Sequence, residues 1–351
     1  MVVVVATATG HRWVLTQTDS GCDVTTSNLK LRDGEADNAD TILEDRVLVA
    51  RICWYYFKEG QTQEAISQRL NMTRKRVNRI LGLARESGFV QITITDPAGQ
   101  RTKLEAELAA RYGLMQAIVV PTPMSDPDVR SFLGAAAANY VAEQLPADGS
   151  IGITWGGTIN AAAQNLRPRQ GQNTKVVLLC GGLAESAPIN PYDNAAMIAR
   201  ALGARCYYLT APMFVDDAAF RDLIVDSEPV RSVLAMVPSL DMALLSAIDL
   251  SEQSKVLEYN VISRKTWTSL RTAGAVGDIC GHYLDRNGKR VDHPLSRRTI
   301  NPPWDHIHRI KHRVLAAGGL QKVAIIRAAL LAGLCHVLVT DEAAAEKLLI
   351  D

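Results

Sequence analysis

The spacing of apolar positions changes along the chain, and the changes predict four segments. Residues 1–45 show no sustained period and are rich in Thr, Asp, Asn and Gly, which predicts a mostly disordered extension. Helical spacing follows over 46–95, a linker helix is predicted within 96–116, and short apolar runs alternate with helices over 117–351. A later translation start at a valine codon is an alternative for the first segment, because Met72 comes too late to begin the first helix.

Three short helices are predicted within 46–95. Their apolar positions recur at helical spacing: Leu48, Ile52, Tyr55 and Tyr56, then Ala65, Ile66 and Leu70, then Val77, Ile80, Leu81 and Ala84. The second helix covers about Thr62–Leu70, the polar turn Asn71-Met72-Thr73 follows, and the third covers about Arg74–Ser87 before Gly88. Three helices with a three-residue turn between the last two are typical of a helix-turn-helix. The alternation over 89–94 predicts a strand or wing.

The segment 117–351 alternates between predicted strands and helices. The strands are Ala117–Val120, Ser150–Thr154, Lys175–Leu179, Arg205–Leu209, Ser232–Met236, Val314–Ala317 and His336–Val339. The helices include Arg130–Gln144, Ile159–Asn165, Asn194–Leu202, Gln321–Ala332 and Asp341–Leu349. This alternation predicts a Rossmann-like, mostly parallel open α/β sheet. Such sheets bind ligands at the carboxyl ends of their strands.

Composition adds a contrast that the total charge conceals. The 351 residues carry a formal net charge of +1, which taken alone disfavours a polycationic nucleic-acid binder. Residues 1–45 hold three basic and eight acidic side chains, whereas residues 46–90 hold nine basic and three acidic ones. The positive charge is therefore concentrated on the predicted helix-turn-helix, and the rest of the chain after it is neutral.

The sequence also indicates the cellular compartment in which the protein is expected. No apolar run approaches the ~20 residues that span a bilayer, and the first apolar run is too short for a secretory signal. The six cysteines are scattered without a C-x-x-C pair, so they are interpreted as reduced thiols. We expect a cytoplasmic protein with no membrane partner and no cofactor.

The third predicted helix has an outward polar face. At about 100° per residue, Lys75, Asn78, Arg79 and Gly82 point away from its apolar stripe. Basic side chains suit phosphates, and Asn and Arg suit base edges. The candidate residues for binding double-stranded operator DNA are Thr73, Arg74, Lys75, Arg76, Asn78 and Arg79. A solvated basic face is the alternative.

Three predicted strand ends carry glycine-rich turns. GITWGGT at 152–158 precedes a helix, so its amides and the helix N-terminus favour an anion. It matches neither the P-loop nor the G-x-G-x-x-G motif of nucleotide-binding proteins. CGG follows at 180–182, and AAGGLQK at 316–322 ends on Lys322. A lysine in the first turn of a helix costs about 0.3–1 kcal/mol unless an anion pairs with it. The alternative for Lys322 is a solvated side chain on a tight turn.

Other polar residues give weaker signals. Asp278 lies between glycines, where a carboxylate can hydrogen-bond sugar hydroxyls, and a turn or cap is the alternative. Thr340-Asp341-Glu342 is most simply a helix N-cap. His306, His308 and His312 do not share a helix face, and no cysteine or carboxylate completes a ligand set, so we expect no metal site.

Two sets of motifs resemble one family. YYFKEGQTQEAISQRLNMTRKRVNRILGLARESGFV is similar to the helix-turn-helix of the SorC/DeoR-type sugar-binding transcriptional regulators, with Ser67 and Asn78 where alanine and serine are usual. GITWGGT, CGGLAES with Asn190-Pro191-Tyr192, GAVGDICGHYLDRNG, AAGGLQKVAIIRAAL and LVTDE resemble the sugar-binding domain of that family. The resemblance implies a fold related to ribose-5-phosphate isomerase, glucosamine-6-phosphate deaminase and CoA transferases.

The resemblance also implies the ligand, a carbohydrate or carbohydrate phosphate. In that family, the loop that corresponds to GITWGGT usually has an arginine before the threonine, where this chain has Gly157. The absence of this cation weakens the expectation of a phosphate group on the ligand but not the expectation of a sugar. The effector-binding residues so implied are Gly152, Thr154, Trp155, Gly156, Gly157, Thr158, Gly181, Gly182, Asp278 and Lys322.

The expected function is an effector-responsive transcriptional regulator. An effector that binds two arrangements of the oligomer differently changes operator affinity by that difference. One helix-turn-helix rarely suffices, so at least a homodimer is expected, and the resemblance implies a dimer or a homotetramer. One alternative is a sugar-phosphate isomerase or deaminase with an appended DNA-binding domain, in which Asp278 and Lys322 do acid–base work. Another is a DNA-binding scaffold with an empty pocket.

Overall fold

The structure, a computed structural model, contains two compact units divided between Gln100 and Arg101. It describes residues 2–8, 11–14, 45–87, 89–94, 97–123, 126–169, 173–184 and 189–350. Within these ranges, every helix is too short or too polar to cross a membrane.

Three helices in the first unit follow the predicted pattern. They are α1 (Arg46–Cys53, continued by a π-helical turn over Trp54–Lys58), α2 (Gln63–Arg69) and α3 (Arg74–Glu86). Side-chain oxygens of Asp45, Thr62 and Thr73 accept hydrogen bonds from the first-turn amides and so cap the three helices. Gly88, expected to end the third helix, lies outside the described residues.

The helices of the first unit share one core. Its most buried side chains are Val49, Ile52, Ile66, Val77, Ile80, Leu81 and Ala84. The predicted stripe of α3 is therefore confirmed. In α2 the prediction was wrong at one position, because Ala65 is exposed and Ser67 is buried, its hydroxyl donating to the Glu64 carbonyl at 2.8 Å.

A small antiparallel sheet also belongs to the first unit. Its strands are β1 (Val2–Ala8), β2 (His11–Val14) and β3 (Gln91–Ile94). β1 pairs with both neighbours, which differs from the expected disorder over 1–45. The reason is that four consecutive valines, Val2 to Val5, have high strand propensity and find a partner in β3. Residues 15–44 lie outside the described ranges.

The second unit is built on a parallel sheet. Its strands are β4 (Gln116–Val120), β5 (Ser150–Ile153), β6 (Lys175–Leu178), β7 (Arg205–Tyr207), β8 (Met242–Asp249), β9 (Gly277–Ile279), β10 (His282–Leu284), β11 (His312–Ala316) and β12 (Val337–Asp341). The parallel strands lie in the order β4-β12-β11-β8-β5-β6-β7. β9 pairs antiparallel with the second half of β8, and β10 pairs with β9.

Helices cover both faces of this sheet. They are α4 (Pro97–Tyr112), α5 (Asp126–Gln144), α6 (Gly157–Asn165), α7 (Pro191–Leu202), α8 (Ala218–Asp226), α9 (Glu228–Met236), α10 (Lys255–Glu258), α11 (Arg264–Thr272), α12 (Trp304–Arg309), α13 (Val323–Leu331) and α14 (Glu342–Ile350). Alternate residues of β11 enter different cores, Val314 and Ala316 on one side and Leu315 on the other. The expected α/β architecture is confirmed, with a core on each face.

One predicted strand is wrong, and the strand that replaces it was missed. Ser232–Met236 belongs to helix α9, which has Pro229 in its first turn, a position that favours helix initiation. The central strand is β8, whose eight residues are all buried. Because both faces of β8 are covered, its apolar run has no alternation, and periodicity cannot separate such a run from a helix segment.

Candidate functional site

The outward face of α3 carries the predicted DNA-binding side chains. Arg74, Lys75, Asn78 and Arg79 are exposed, opposite the buried stripe of the helix. A side chain built at Gly82, also on this helix, would meet no atom within 4 Å, so packing does not require this glycine. The face is therefore basic, polar and sterically open.

Three other residues near this face have structural contacts. Thr73 caps α3 through its hydroxyl, which accepts from the Arg76 amide at 3.3 Å. Arg76 itself is half-buried, with its Nε atom shielded from solvent, so it is less available than its neighbours. Gln63, which the sequence did not single out, donates to Asn78 Oδ1 at 3.3 Å and orients that amide from α2.

In the second unit, a cavity lies at the carboxyl ends of β5, β8 and β11. The cavity is lined by five of the residues predicted to bind the effector: Trp155, Gly156, Gly157, Thr158 and Lys322. Further lining residues, which the sequence did not single out, are Arg130, Ile189, Ser246, Ala247, Ile248, Asp249, Ser254 and Lys255. We refer to this space as the Lys322 cavity.

The loop that carries Lys322 is held by a buried carboxylate. Lys322 lies in a 3-10 turn, Leu320–Lys322, directly before α13 rather than inside that helix. Asp341, which is fully buried, accepts a hydrogen bond from the Gly319 amide at 2.6 Å. A side chain at Gly318 would come within 2.4 Å of the same carboxylate oxygen. The glycine pair therefore lets the loop approach Asp341 closely and sets the position of Lys322.

Burial and neighbouring charges both act on Lys322. Burial lowers the pKa of the Lys322 ammonium, Asp249 and Asp278 raise it, and the Arg130 guanidinium lowers it further. Asp249 is 6% exposed, and its Oδ1 atom accepts from the Ser251 amide and hydroxyl at 3.0 and 2.5 Å. One oxygen of the Asp249 carboxylate is thus already engaged.

Asp278 borders a second, adjacent cavity. Trp155 lines both spaces, and Cys180, Tyr283 and Thr299 line the second one with Asp278. The carboxylate is 3% exposed and accepts from the Gly281 amide at 2.9 Å. Burial raises the pKa of Asp278 to about 7, while the Gly281 amide and Lys322 act in the opposite direction. Asp278 and Lys322 therefore influence each other, although they line different cavities.

Four predicted effector-binding residues, Gly152, Thr154, Gly181 and Gly182, line neither the Lys322 cavity nor the adjacent one. Gly152 lies within β5, where a side chain would come within 2.8 Å of Leu240. The Thr154 hydroxyl is buried and accepts from the Ser246 amide at 2.9 Å, which ties β5 to β8. A side chain at Gly181 would come within 2.3 Å of the Pro212 carbonyl oxygen. These residues are placed by packing, and Gly182 lines a separate apolar cleft beside Tyr192.

Two of the three histidines considered as metal ligands, His308 and His312, make structural hydrogen bonds. His308 lies within 3.1 Å of the Trp304 carbonyl and 3.0 Å of the Ala332 carbonyl, and His312 lies 2.7 Å from the Tyr140 hydroxyl. Among the residues that the structure describes, no group of three or more His, Cys, Asp or Glu side chains could hold a metal ion.

Asp341→Ala is expected to destabilise the second unit by about 2–4 kcal/mol, because buried donors lose a charged acceptor. These donors include the Gly319 amide and the Thr122 hydroxyl, which donates at 2.8 Å. Urea unfolding of the purified protein measures the loss. Asp341→Asn keeps one acceptor and is expected to lose less; equal stability of the alanine variant and the parent would contradict this role.

Comparison with known proteins relates both units to regulators. The family model "Putative sugar-binding domain" matches residues 96–350. The chain is 30% identical over 316 residues to the transcriptional regulator LsrR of Klebsiella pneumoniae, covering 89% of this chain and 95% of that one. It is 28% identical over 299 residues to the deoxyribonucleoside regulator of Bacillus subtilis, covering 84% and 95%. The solved full-length sorbitol operon regulator SorC from Klebsiella pneumoniae is 26% identical, covers 87% of this chain and 99% of that chain, and superposes with a TM-score of 0.69.

Proposed function

Since the chain belongs to the SorC family of sugar-binding transcriptional regulators and is an effector-controlled DNA-binding regulator, we propose that α3 reads its operator and that the Lys322 cavity holds its effector. The observation that carries the proposal is the presence, in one chain, of an open basic face on α3 and a cationic cavity at the strand ends of the α/β unit. The first suits DNA, and the second suits a small polar ligand.

The effector class is a sugar or a polyol. The names of three relatives refer to deoxyribonucleosides, erythritol and sorbitol, which are rich in hydroxyl groups or derived from a sugar. Asp278 and Asp249 offer carboxylate oxygens for such hydroxyls, and Trp155 borders both cavities. The effector acts by linkage, so its affinity must differ between the DNA-bound and free forms of the protein.

The assembly and the absence of catalysis complete the proposal. The protein acts in the cytoplasm as a homodimer or homotetramer, because paired recognition helices match the symmetry of a pseudo-palindromic operator. The α/β unit binds its ligand without converting it, as expected from relatives that are named regulators. Conversion of sugar phosphates by the purified protein, lost in Asp278→Ala, would instead support the isomerase or deaminase alternative.

The proposal is tested by selecting binding sites from random-sequence DNA and then screening sugars, polyols and their phosphates. We expect one family of palindromic sites and at least one compound that both raises the thermal unfolding midpoint and changes affinity for the selected site. If the protein selects a DNA sequence but no compound changes its affinity for that sequence, the alternative of a DNA-binding scaffold with an empty pocket is favoured. A protein that selects no DNA sequence would contradict the function of α3.

Arg79→Ala is expected to weaken binding to the selected site by about 1–3 kcal/mol and to relax specificity at one base position. Lys75→Ala is expected to weaken binding to all sequences alike and to reduce the salt dependence. Gel-shift titration against matched and mismatched sites measures both effects. Arg200→Ala, an exposed change on α7 in the other unit, is the control and should leave affinity unchanged. Parent-like affinity in Arg79→Ala would contradict the recognition role of α3.

A further inference from the structure

A large cavity in the second unit lies outside the proposed effector site. It is bordered by α8, β10 and the segment 290–305, and its volume of about 780 Å³ is within the range of small-molecule sites. None of its described lining residues lines the Lys322 cavity, and Tyr283 is the one that it shares with the cavity beside Asp278. We refer to this space as the Trp304 cleft.

Most of the charged side chains that line the Trp304 cleft have partners within the protein. Arg221 donates to its neighbour Asp222 at 3.0 Å, and Arg297 donates to both oxygens of Asp292 at 2.8 and 3.0 Å. Asp305 lies in the first turn of α12, where a negative charge is favoured. These side chains are therefore accounted for without a ligand.

Arg290 is the exception among the arginines that line the cleft. It is exposed, and no carboxylate of the described residues forms an ion pair with it. Its guanidinium carbon lies 5.4 Å from the centroid of the Trp304 ring. Contact with an aromatic ring restricts a guanidinium without neutralising it. Arg290 is therefore a pre-organised cation that is available to a bound anion.

The cleft has a positive potential around His282, which forms part of its wall. The Nε2 atom of His282 lies 3.0 Å from the Pro302 carbonyl oxygen, so Nε2 carries the proton of a neutral ring. Burial lowers the pKa of His282 to about 4, the Pro302 carbonyl raises it, and Arg290, His308 and Arg221 lower it further. The charged neighbours that act on His282 are thus all basic, which favours a negative group on a ligand.

The charge balance and the walls of the cleft indicate the class of ligand. One unpaired guanidinium balances a single negative charge, and a carboxylate can accept two parallel hydrogen bonds from it. A phosphate monoester, with about −1.5 to −2 charge, would be left partly uncompensated beside Asp222 and Asp292. An apolar part of the wall favours a flat, apolar ligand body, and it consists of Ala218, Val291, Pro302, Pro303 and Trp304.

We propose that the Trp304 cleft is a second ligand site, which binds a small aromatic carboxylic acid with its carboxylate on Arg290 and its ring against the apolar wall around Trp304. The site does not rest on the proposed function, because its residues are separate from those of the Lys322 cavity. The bound acid lies beside β10, in which Tyr283 is paired with Asp278 of β9. The second site is thus adjacent to the hairpin that carries the buried carboxyl group.

Calorimetry with benzoate, phenylacetate and indole-3-acetate tests the site on the full-length protein. The amide of each acid keeps the ring and removes the charge, whereas acetate keeps the charge and removes the ring. We expect at least one aromatic acid to bind, and its amide and acetate to bind at least about tenfold more weakly. Arg290→Ala should weaken binding of that acid by about tenfold to a hundredfold and remove the preference over its amide.

Arg286→Ala is the matched control, because Arg286 is an exposed arginine close by in the chain that does not line the cleft, and this variant should bind the acid like the parent. Thermal unfolding checks that each variant is folded. The inference is overturned if none of the acids binds, if the amides bind as well as the acids, or if Arg290→Ala binds like the parent. Binding that is lost in Lys322→Ala but kept in Arg290→Ala would place the acid in the Lys322 cavity and overturn it as well. A protein that selects no DNA sequence would end the proposed function and leave each of these results unchanged.

Discussion

Lys322→Ala is expected to raise the effector concentration needed to change operator binding by about a hundredfold, with operator affinity in the absence of effector unchanged. The ammonium lines the cavity without an ion pair to a described residue, and burial already disfavours its charge. A ligand oxygen that loses a charged partner in a shielded site costs about 2.7 kcal/mol, which corresponds to a hundredfold change in affinity. Fluorescence-anisotropy titration of operator DNA at increasing effector concentration measures the shift.

Two further variants make this result specific. Lys322→Met keeps most of the aliphatic stem and removes the charge, so it should lose response to the same extent as the alanine variant if the ammonium is what matters. Lys289→Ala removes an exposed lysine of the same unit and should respond like the parent. If Lys322→Ala responds at the parent's effector concentration, the effector does not bind in this cavity.

The helix-turn-helix was predictable because its signals are local. Thr62 and Thr73 cap α2 and α3 through hydrogen bonds to amides three residues later, and the apolar stripe of α3 recurs at helical spacing. The glycine-rich loops were also visible, since Gly156 and Gly319 have positive φ and mark turns at strand ends. Each of these features depends on residues that are close together in the chain.

The rest of the candidate site depends on residues that are far apart in the chain. Arg130 lies in the second turn of α5 and belongs to no motif, so only the packing of α5 on α6 reveals that it contacts Gly157. Asp249 ends β8, a strand without alternation because both of its faces are buried. Conversely, Gly152 and Thr154 lie within a ligand-like motif, yet the sheet uses one for packing and the other for a hydrogen bond to Ser246.

Burial of Asp278 links the second cavity, adjacent to the Lys322 cavity, to the stability of the protein. The pKa of this carboxyl is raised to about 7 from its ordinary value of 3.8, so the folded protein keeps a proton that the unfolded chain releases between these values. Stability therefore falls as the pH rises from about 4 to 7, by about 1.4 kcal/mol per pH unit, and the loss is complete above about pH 7. Cys180 and Tyr283, which line the same cavity, have pKa values raised well above this range and stay neutral throughout it.

Asp278→Asn is accordingly expected to gain stability relative to the parent as the pH rises, by on the order of 3–4 kcal/mol between about pH 4 and pH 7, because asparagine has no charge to bury. Its side-chain oxygen can still accept from the Gly281 amide, so the turn between β9 and β10 is retained. Urea titrations at a series of pH values measure the difference, in which the contributions of other titrating groups cancel. Asp226→Asn, on the exposed surface of α8, is the control and should track the parent at every pH. If the difference in unfolding free energy between parent and variant does not change with pH, Asp278 ionises as readily in the folded protein as in the unfolded chain. Burial would then not disfavour the charged carboxylate, and a hydrogen bond from a ligand hydroxyl would have no such cost to offset.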